Sequence, residues 1–416
     1  MTTTIMPGPH ARRPEMRALT GLRAVAALAV VFHHTRLPES APQALDKIAE
    51  WGRMGVPVFF MLSGVVLAYN YGDLNFKQGR RTIRFFLARI ARVMPLYWAV
   101  IAYCAGFYFI VGLDQYQWPL VQNILAIQTW SGDLKVAQGY YNAPGWSIGV
   151  ELFFYLLFPF LIPQVARLAK RWGNRGLIAL IGAMTLVLLA LWAYFMISGR
   201  AYLPAADPGS AHRWLYRSPL CYLPLFVIGM AVAFLIPSAR TWSIRTHHLT
   251  QGALFVLIGG IAVFRPIGTG WSTASFALML AVPFAILLLT LATDRGWMAR
   301  FLATGPMVRL GVASYALYIT HRWLMERLAG FTQIEKGTLW TPYVGLLMVV
   351  VLLLLIAEGA HQYIEEPCRR LIVKWTNRLI PAKKHQPEPT PPRIPEQATV
   401  EMPPIRDRIG AGESQR

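Results

Sequence analysis

The run LIALIGAMTLVLLALWAYFMI, Leu177 to Ile197, contains no charged residue. At about 1.5 Å per residue a helix of this length covers roughly 30 Å, the thickness of a bilayer's hydrocarbon core. A helix on the surface of a soluble domain keeps a polar face, and this run has almost none. A second run, Tyr343 to Ile364, has the same reach. The whole chain agrees with these two stretches. Of its 416 residues 55% are hydrophobic and 14% charged, where a soluble chain carries roughly a quarter, and the mean hydropathy is +0.41. The sequence reads as an all-α polytopic membrane protein.

Hydropathy predicts a bundle of about ten transmembrane helices, at 18–36, 53–72, 93–112, 146–165, 177–197, 219–236, 251–264, 277–293, 310–329 and 343–364. Basic residues gather in alternate loops. The loop 73–92 has Lys77, Arg80, Arg81, Arg84, Arg89 and Arg92 against a lone Asp73, and 166–176 has Arg167, Lys170, Arg171 and Arg175 with no acid. That asymmetry predicts both termini in the cytoplasm and a multi-pass protein of the inner (plasma) membrane. It also accounts for the net charge of +20 without a nucleic-acid partner, for which no motif is present. Residues 1–15 read as a disordered cytoplasmic N-terminus ahead of an uncleaved first span, and 16–378 as the membrane-embedded domain. From 379 to 416 the chain reads as a disordered, Pro-rich cytoplasmic tail, with eight prolines from Pro381 onward. Three scattered cysteines make no disulfide framework.

Ionisable residues inside such spans are costly and mark function by default. The first span, GLRAVAALAVVFHHT (Gly21–Thr35), carries Arg23, His33 and His34. Eleven helical steps separate Arg23 from His34, about 1100°, so the two share a face to within roughly 20° and lie about 16 Å apart along the axis. His33 falls roughly 80° off that line. The plainer reading is a snorkelling arginine with two helix-end histidines; alignment on one face favours a functional lining. The fourth span opens WSIGVELFFY, where Ser147, Glu151 and Tyr155 recur every four residues as one polar stripe. Glu151 lies at a depth matching His34, so the carboxylate could pair with that imidazole and orient it; taken alone, a structural Glu hydrogen-bonded inside the bundle is the plainer reading. RTIRFFLARIAR (Arg81–Arg92) is amphipathic, an interfacial anchor or a phosphate clamp. SYALYITHR adds Tyr315, Tyr318 and His321 in the ninth span. There is no GxSxG elbow, P-loop or HExxH, and no Cys/His set with metal-ligand spacing, so no metal is expected.

These segments stand in a familiar order: GLR with a following histidine, GVPVFFMLSG (Gly55–Gly64), RFFLARIARVMPLYW (Arg84–Trp98), WSIGVELFFYLLFP (Trp146–Pro159), SYALYITH (Ser314–His321) and IEEP (Ile364–Pro367). The chain resembles the acyltransferase 3 family of integral membrane acyltransferases from about residue 16 to 378. The family's arginine–histidine motif falls on Arg23 and His34, its paired arginines on Arg89 and Arg92, and its acidic residue after Trp–Ser on Glu151. Glu366 departs from the pattern, since relatives often have a basic residue there.

The resemblance implies transfer of an acyl group, usually acetyl, from cytoplasmic acyl-coenzyme A to a hydroxyl of a glycan, lipid-linked sugar or secondary metabolite. It implies no tightly bound cofactor, because acyl-coenzyme A is the donor substrate. Arg23, Arg89 and Arg92 are then expected at the coenzyme A phosphates and His34 and Glu151 at the catalytic centre. Ser63, Trp146, Ser147, Tyr155, Tyr318 and His321 are expected to contact substrate. The rival is a membrane transporter with a His/Glu proton relay, which predicts internal repeats; none is visible in the sequence.

Overall fold

The computed structural model describes residues 14–35, 37, 42–112, 117–137, 141–264, 280–332 and 341–381. Most of the 1–15 segment and nearly all of the tail from 379 lie outside the described residues. The compact membrane unit runs to Ile380.

Regular structure among the described residues is helical. In chain order it comprises α1 (Arg17–His34), α2 (Gln43–Trp51), α3 (Gly55–Tyr71), α4 (Arg80–Ile110), α5 (Gln117–Ile124) and α6 (Leu134–Ala137). Next come α7 (Trp146–Ile197), α8 (Ala211–Trp214), α9 (Pro219–Ala239), α10 (Ile244–Phe264) and α11 (Ala281–Leu291). The remainder are α12 (Trp297–Leu302), α13 (Gly305–Val312), α14 (Ser314–Thr332), α15 (Thr341–Ala360) and α16 (Glu366–Leu379), the last two joined by a π-helical turn at His361–Glu365.

Six helical runs among the described residues are long and apolar enough to cross a membrane: 43–71, 80–110, 143–197, 219–239, 244–264 and 343–379. Two expected spans, 146–165 and 177–197, fall within the single run α7, whose helical geometry breaks at Gly173 (φ 55°, ψ −144°). That positive φ suits a residue without a Cβ. The segment 281–291 is apolar but shorter. The expected interfacial helix 81–92 and span 93–112 are likewise continuous as α4, with Pro95 inside it.

Packing concentrates on α9, buried along most of its length, with α3 and α7 against it. Small residues allow the closest approach. A Cβ on Gly229 would run into the Met61 carbonyl, and one on Gly64 into the Phe226 carbonyl, so α3 and α9 meet backbone to backbone. In lipid, where burial drives little association, such close packing holds helices together. Helix α1 packs chiefly against α13, α14 and α3. Its N-terminal Ala18 N–H donates to Asp294 Oδ1 (2.8 Å), which satisfies a backbone group the helix itself leaves open.

Candidate active site

Two cavities adjoin in the bundle, and α1 reaches both. The first, of about 110 Å³, is lined by Arg23, Ser63, Arg89, Arg92, Glu151 and Tyr155, among others. The stripe expected on α7 faces this space as a unit: Ser147, Glu151 and Tyr155 all line it. Tyr155 Oη donates to Glu151 Oε1, and Ser63 Oγ lies 3.5 Å from the same oxygen. Arg89 stacks over the Tyr71 ring at 5.7 Å, and its buried Nε has no partner.

The basic run of α4 divides its work. Arg81 pairs with Asp73 (2.6 Å), and Arg84 donates to Asn377 Oδ1 (2.7 Å), tying α4 to α16. Arg89 and Arg92 face the cavity. Ile83 and Ile90 are exposed, as on a helix side turned to lipid. Glu366, the departure from the family pattern, is held by Arg369 and Arg370, each at 2.7 Å.

The second cavity, of about 270 Å³, takes histidines from three elements. His34 Nδ1 lies 2.9 Å from the Val30 carbonyl and 3.3 Å from His321 Nε2, and His321 Nδ1 lies 2.6 Å from the Tyr318 carbonyl. A carbonyl only accepts, so both Nδ1 atoms carry the hydrogen in the neutral rings. The single His34 Nδ1–H is then shared between the Val30 carbonyl and His321 Nε2, and His34 Nε2 keeps its lone pair. His321 is fully buried.

This corrects the expected pairing of His34 with Glu151. Glu151 lies in the arginine-lined cavity with Tyr155 and Ser63, and the partner of His34 is His321. A similar distance from the end of each helix does not make two helices neighbours. Helix α1 packs on α3 and α14, while α7 packs chiefly on α9. His33 also lines the histidine cavity, its ring centroid 4.8 Å from that of His34 and its Nδ1 3.2 Å from the Ala49 carbonyl. The offset of the two rings around the helix is therefore smaller in effect than the wheel implies.

Val56 and Tyr318 line both cavities and form the wall between them. Tyr318 Oη donates to Ser147 Oγ (2.8 Å), and Ser147 Oγ to the Pro144 carbonyl (2.9 Å). Trp146 lines the histidine side. Arg53, His212, Arg217 and Arg322 complete that cavity, and the sequence reading did not single them out for it. The signal for Arg217 was a cation at the mouth of an apolar span, set between Tyr216 and Pro219. Burial draws its pKa down to about 10, so it stays cationic at neutral pH. His212 is held down to about 4, first by burial and then by Arg217 and Arg53, and is neutral there. No group of three or more His, Cys, Asp or Glu suited to a metal ion is found among the described residues.

The family described as acyltransferase domain matches residues 16–358. The chain belongs to that family and is a multi-pass membrane O-acyltransferase. It is 28% identical over 382 residues to the acyltransferase MdmB of Streptomyces mycarofaciens, covering 85% of this chain and 92% of that one. It is 24% identical over 387 residues to the putative peptidoglycan O-acetyltransferase YrhL of Bacillus subtilis (strain 168), and 24% over 401 residues to the O-acetyltransferase OatA of Staphylococcus aureus (strain MRSA252). Those matches cover 84% and 88% of this chain but only 54% and 59% of the relatives, so the chain spans little more than half of their length. No solved structure matches. The transporter alternative finds no support in these relatives.

Proposed function

We propose that the protein transfers an acyl group, acetyl in the first instance, from cytoplasmic acyl-coenzyme A to a hydroxyl of a glycan, lipid-linked sugar or secondary metabolite. The observation that carries this reading is the pair of adjoining cavities, arginine-lined and histidine-lined, that share Val56 and Tyr318. Arg23, Arg89 and Arg92 hold the donor phosphates, since guanidinium forks match phosphate oxygens. The thioester end passes the Tyr318 wall toward His34. There the acceptor hydroxyl attacks the thioester carbonyl, His34 Nε2 takes its proton, and coenzyme A leaves as the thiol after reprotonation. His321 Nε2 accepts from His34 Nδ1–H and so fixes the ring and supports its imidazolium form. A transient acyl-histidine at His34 is the variant of this scheme in two steps. Ser63, Ser147 and Tyr155 shape the donor side, and Trp146 and Tyr318 the acceptor side.

In this reading ten spans place both termini in the cytoplasm of the inner (plasma) membrane, with the arginine cavity inward and the histidine cavity outward. The alternation of basic loops supports that orientation. The names of two relatives, which specify O-acetyl transfer, support acetyl as the acyl group. The test is release of free coenzyme A thiol from acetyl-coenzyme A by the purified full-length protein. Thiol release dependent on an added hydroxyl acceptor, and lost in His34→Ala, is the expected result. No thiol release from any short acyl-coenzyme A would sink the donor assignment.

A further inference from the structure

The histidine cavity contains three arginines, Arg53, Arg217 and Arg322, and no carboxylate lines it among the described residues. Two of these guanidinium groups are engaged from outside the space. Arg322 Nε donates to Glu326 (2.7 Å), and Arg53 Nε to the Glu50 carbonyl (3.1 Å). Arg217 differs. It is 8% exposed, its Nη1 donates to the His212 carbonyl (2.8 Å), and its buried Nε has no hydrogen-bond partner. Beyond that one carbonyl, its charge meets ring faces among the described residues, with Tyr216 at 5.3 Å and Trp146 at 6.0 Å. Behind it Arg213 is fully buried, donates to the Thr129 and Ser131 carbonyls, and leaves Nε and Nη1 unpartnered. Thr129 Oγ1 in turn donates to the Arg217 carbonyl (2.6 Å), which locks this corner to the loop after α5.

A buried guanidinium without an anion is a standing cost, several times what contact with aromatic faces returns. A purely structural role would be served by a neutral donor to the His212 carbonyl. The arrangement is economical only when something entering the cavity supplies the negative charge.

We propose that the histidine cavity is an anion-recognising acceptor pocket, in which Arg217 binds a carboxylate or phosphate group carried by the acceptor and so presents a nearby hydroxyl to His34. This rests on the reading of that cavity as the acceptor side. It narrows the acceptor class to acidic sugars, sugar phosphates and similarly charged hydroxyl compounds. A neutral acceptor leaves Arg217 unpaired and gains nothing from it.

The test uses the full-length protein in detergent with saturating coenzyme A, so that the arginine cavity is filled and reports its own occupancy. Glucuronic acid, glucose 1-phosphate and glucose are titrated, with tryptophan fluorescence as the readout because Trp146 lies beside Arg217. The acidic probes should bind about tenfold or more tighter than glucose. Arg217→Gln should remove that advantage without altering the response to glucose, and Arg217→Lys should keep part of it. A response to only one acidic probe identifies carboxylate or phosphate as the group recognised. Glucose binding as well as the acids, no binding of either acid, or full acid binding by a folded Arg217→Gln protein overturns the proposal. If the glutamine variant does not fold, the wild-type preference between acids and glucose decides. Failure of coenzyme A itself to bind would instead count against the donor-site reading and leave the acid-against-glucose comparison standing.

Discussion

His321 Nε2 stands 3.3 Å from His34 Nδ1, while the Val30 carbonyl accepts at that same Nδ1 (2.9 Å) and the Tyr318 carbonyl at His321 Nδ1 (2.6 Å). This relationship fixes one tautomer for each ring and directs the free lone pair of His34 away from its partner. His34→Ala should therefore abolish transfer with the protein still accumulating in the membrane, a loss on the order of 10²- to 10⁴-fold. His321→Ala should lower kcat by at least about tenfold, less than loss of the base itself, with both KM values unchanged. His321→Gln, which keeps an acceptor oxygen within reach, should recover part of that loss. A uniform drop in protein level for both His321 variants would make the residue structural.

His33 is the control for that pair. It shares the cavity, but its Nδ1 is turned to the Ala49 carbonyl of α2 rather than to His321. His33→Ala should keep most of the activity, measured as thiol release. A dead His33→Ala with an active His34→Ala would reverse the assignment.

Much of this site was legible in the sequence because helical periodicity survives folding. The four-residue spacing of Ser147, Glu151 and Tyr155 predicts one face, and all three line one cavity. Arg23 and His34, eleven residues apart on α1, line the two adjoining cavities in the expected axial order. What periodicity lacks is the identity of the neighbouring helix. The partner of His34 sits 287 residues away in α14, and nothing in the local spacing of either helix distinguishes it from Glu151. Arg217 and His212 lie in the segment between α7 and α9, where no period exists to read. Their place depends on the latch from Thr129 and Arg213. The break inside α7 was carried by one glycine whose φ is invisible in sequence.

The divided role of the α4 arginines gives a second kinetic expectation. Arg92→Ala should raise the KM for acetyl-coenzyme A while leaving the acceptor KM unchanged, because Arg92 faces only the arginine cavity. Arg84→Ala, which loses its bonds to Asn377 and the Ile380 carbonyl, should lower thermal stability without that KM change. An unaltered donor KM in Arg92→Ala leaves lipid anchoring as its role.

His212 provides a pH signature of stability. Burial, with Arg217 and Arg53, holds it at about 4 against its ordinary 6.5. Above about 6.5 it is neutral in both folded and unfolded chains and costs nothing. Between 6.5 and 4 the unfolded chain binds a proton that the folded chain refuses, so its effect is a loss of stability as pH falls through that window. Melting in detergent from pH 7.5 to 4.5 should show the wild type losing ground to His212→Gln. A constant gap between the two curves would assign any acid lability to other groups.

Glu151 supplies the sharpest contrast between the sequence argument and the structure. As the partner of His34, its loss would slow proton transfer and move the pH profile. In the structure it shares a cavity with Arg23, Arg89 and Arg92 and is bonded to Tyr155 and Ser63. If the arginines hold phosphate as proposed, a carboxylate beside them would oppose that binding and weaken the hold on product. Glu151→Gln should therefore lower kcat through slower coenzyme A release, make coenzyme A a stronger product inhibitor, and leave the pH–rate profile where it is. Product-inhibition kinetics on the purified variant measure this directly. A shifted profile with unchanged coenzyme A inhibition would restore Glu151 to the histidine, through a rearrangement that brings the two cavities' side chains together.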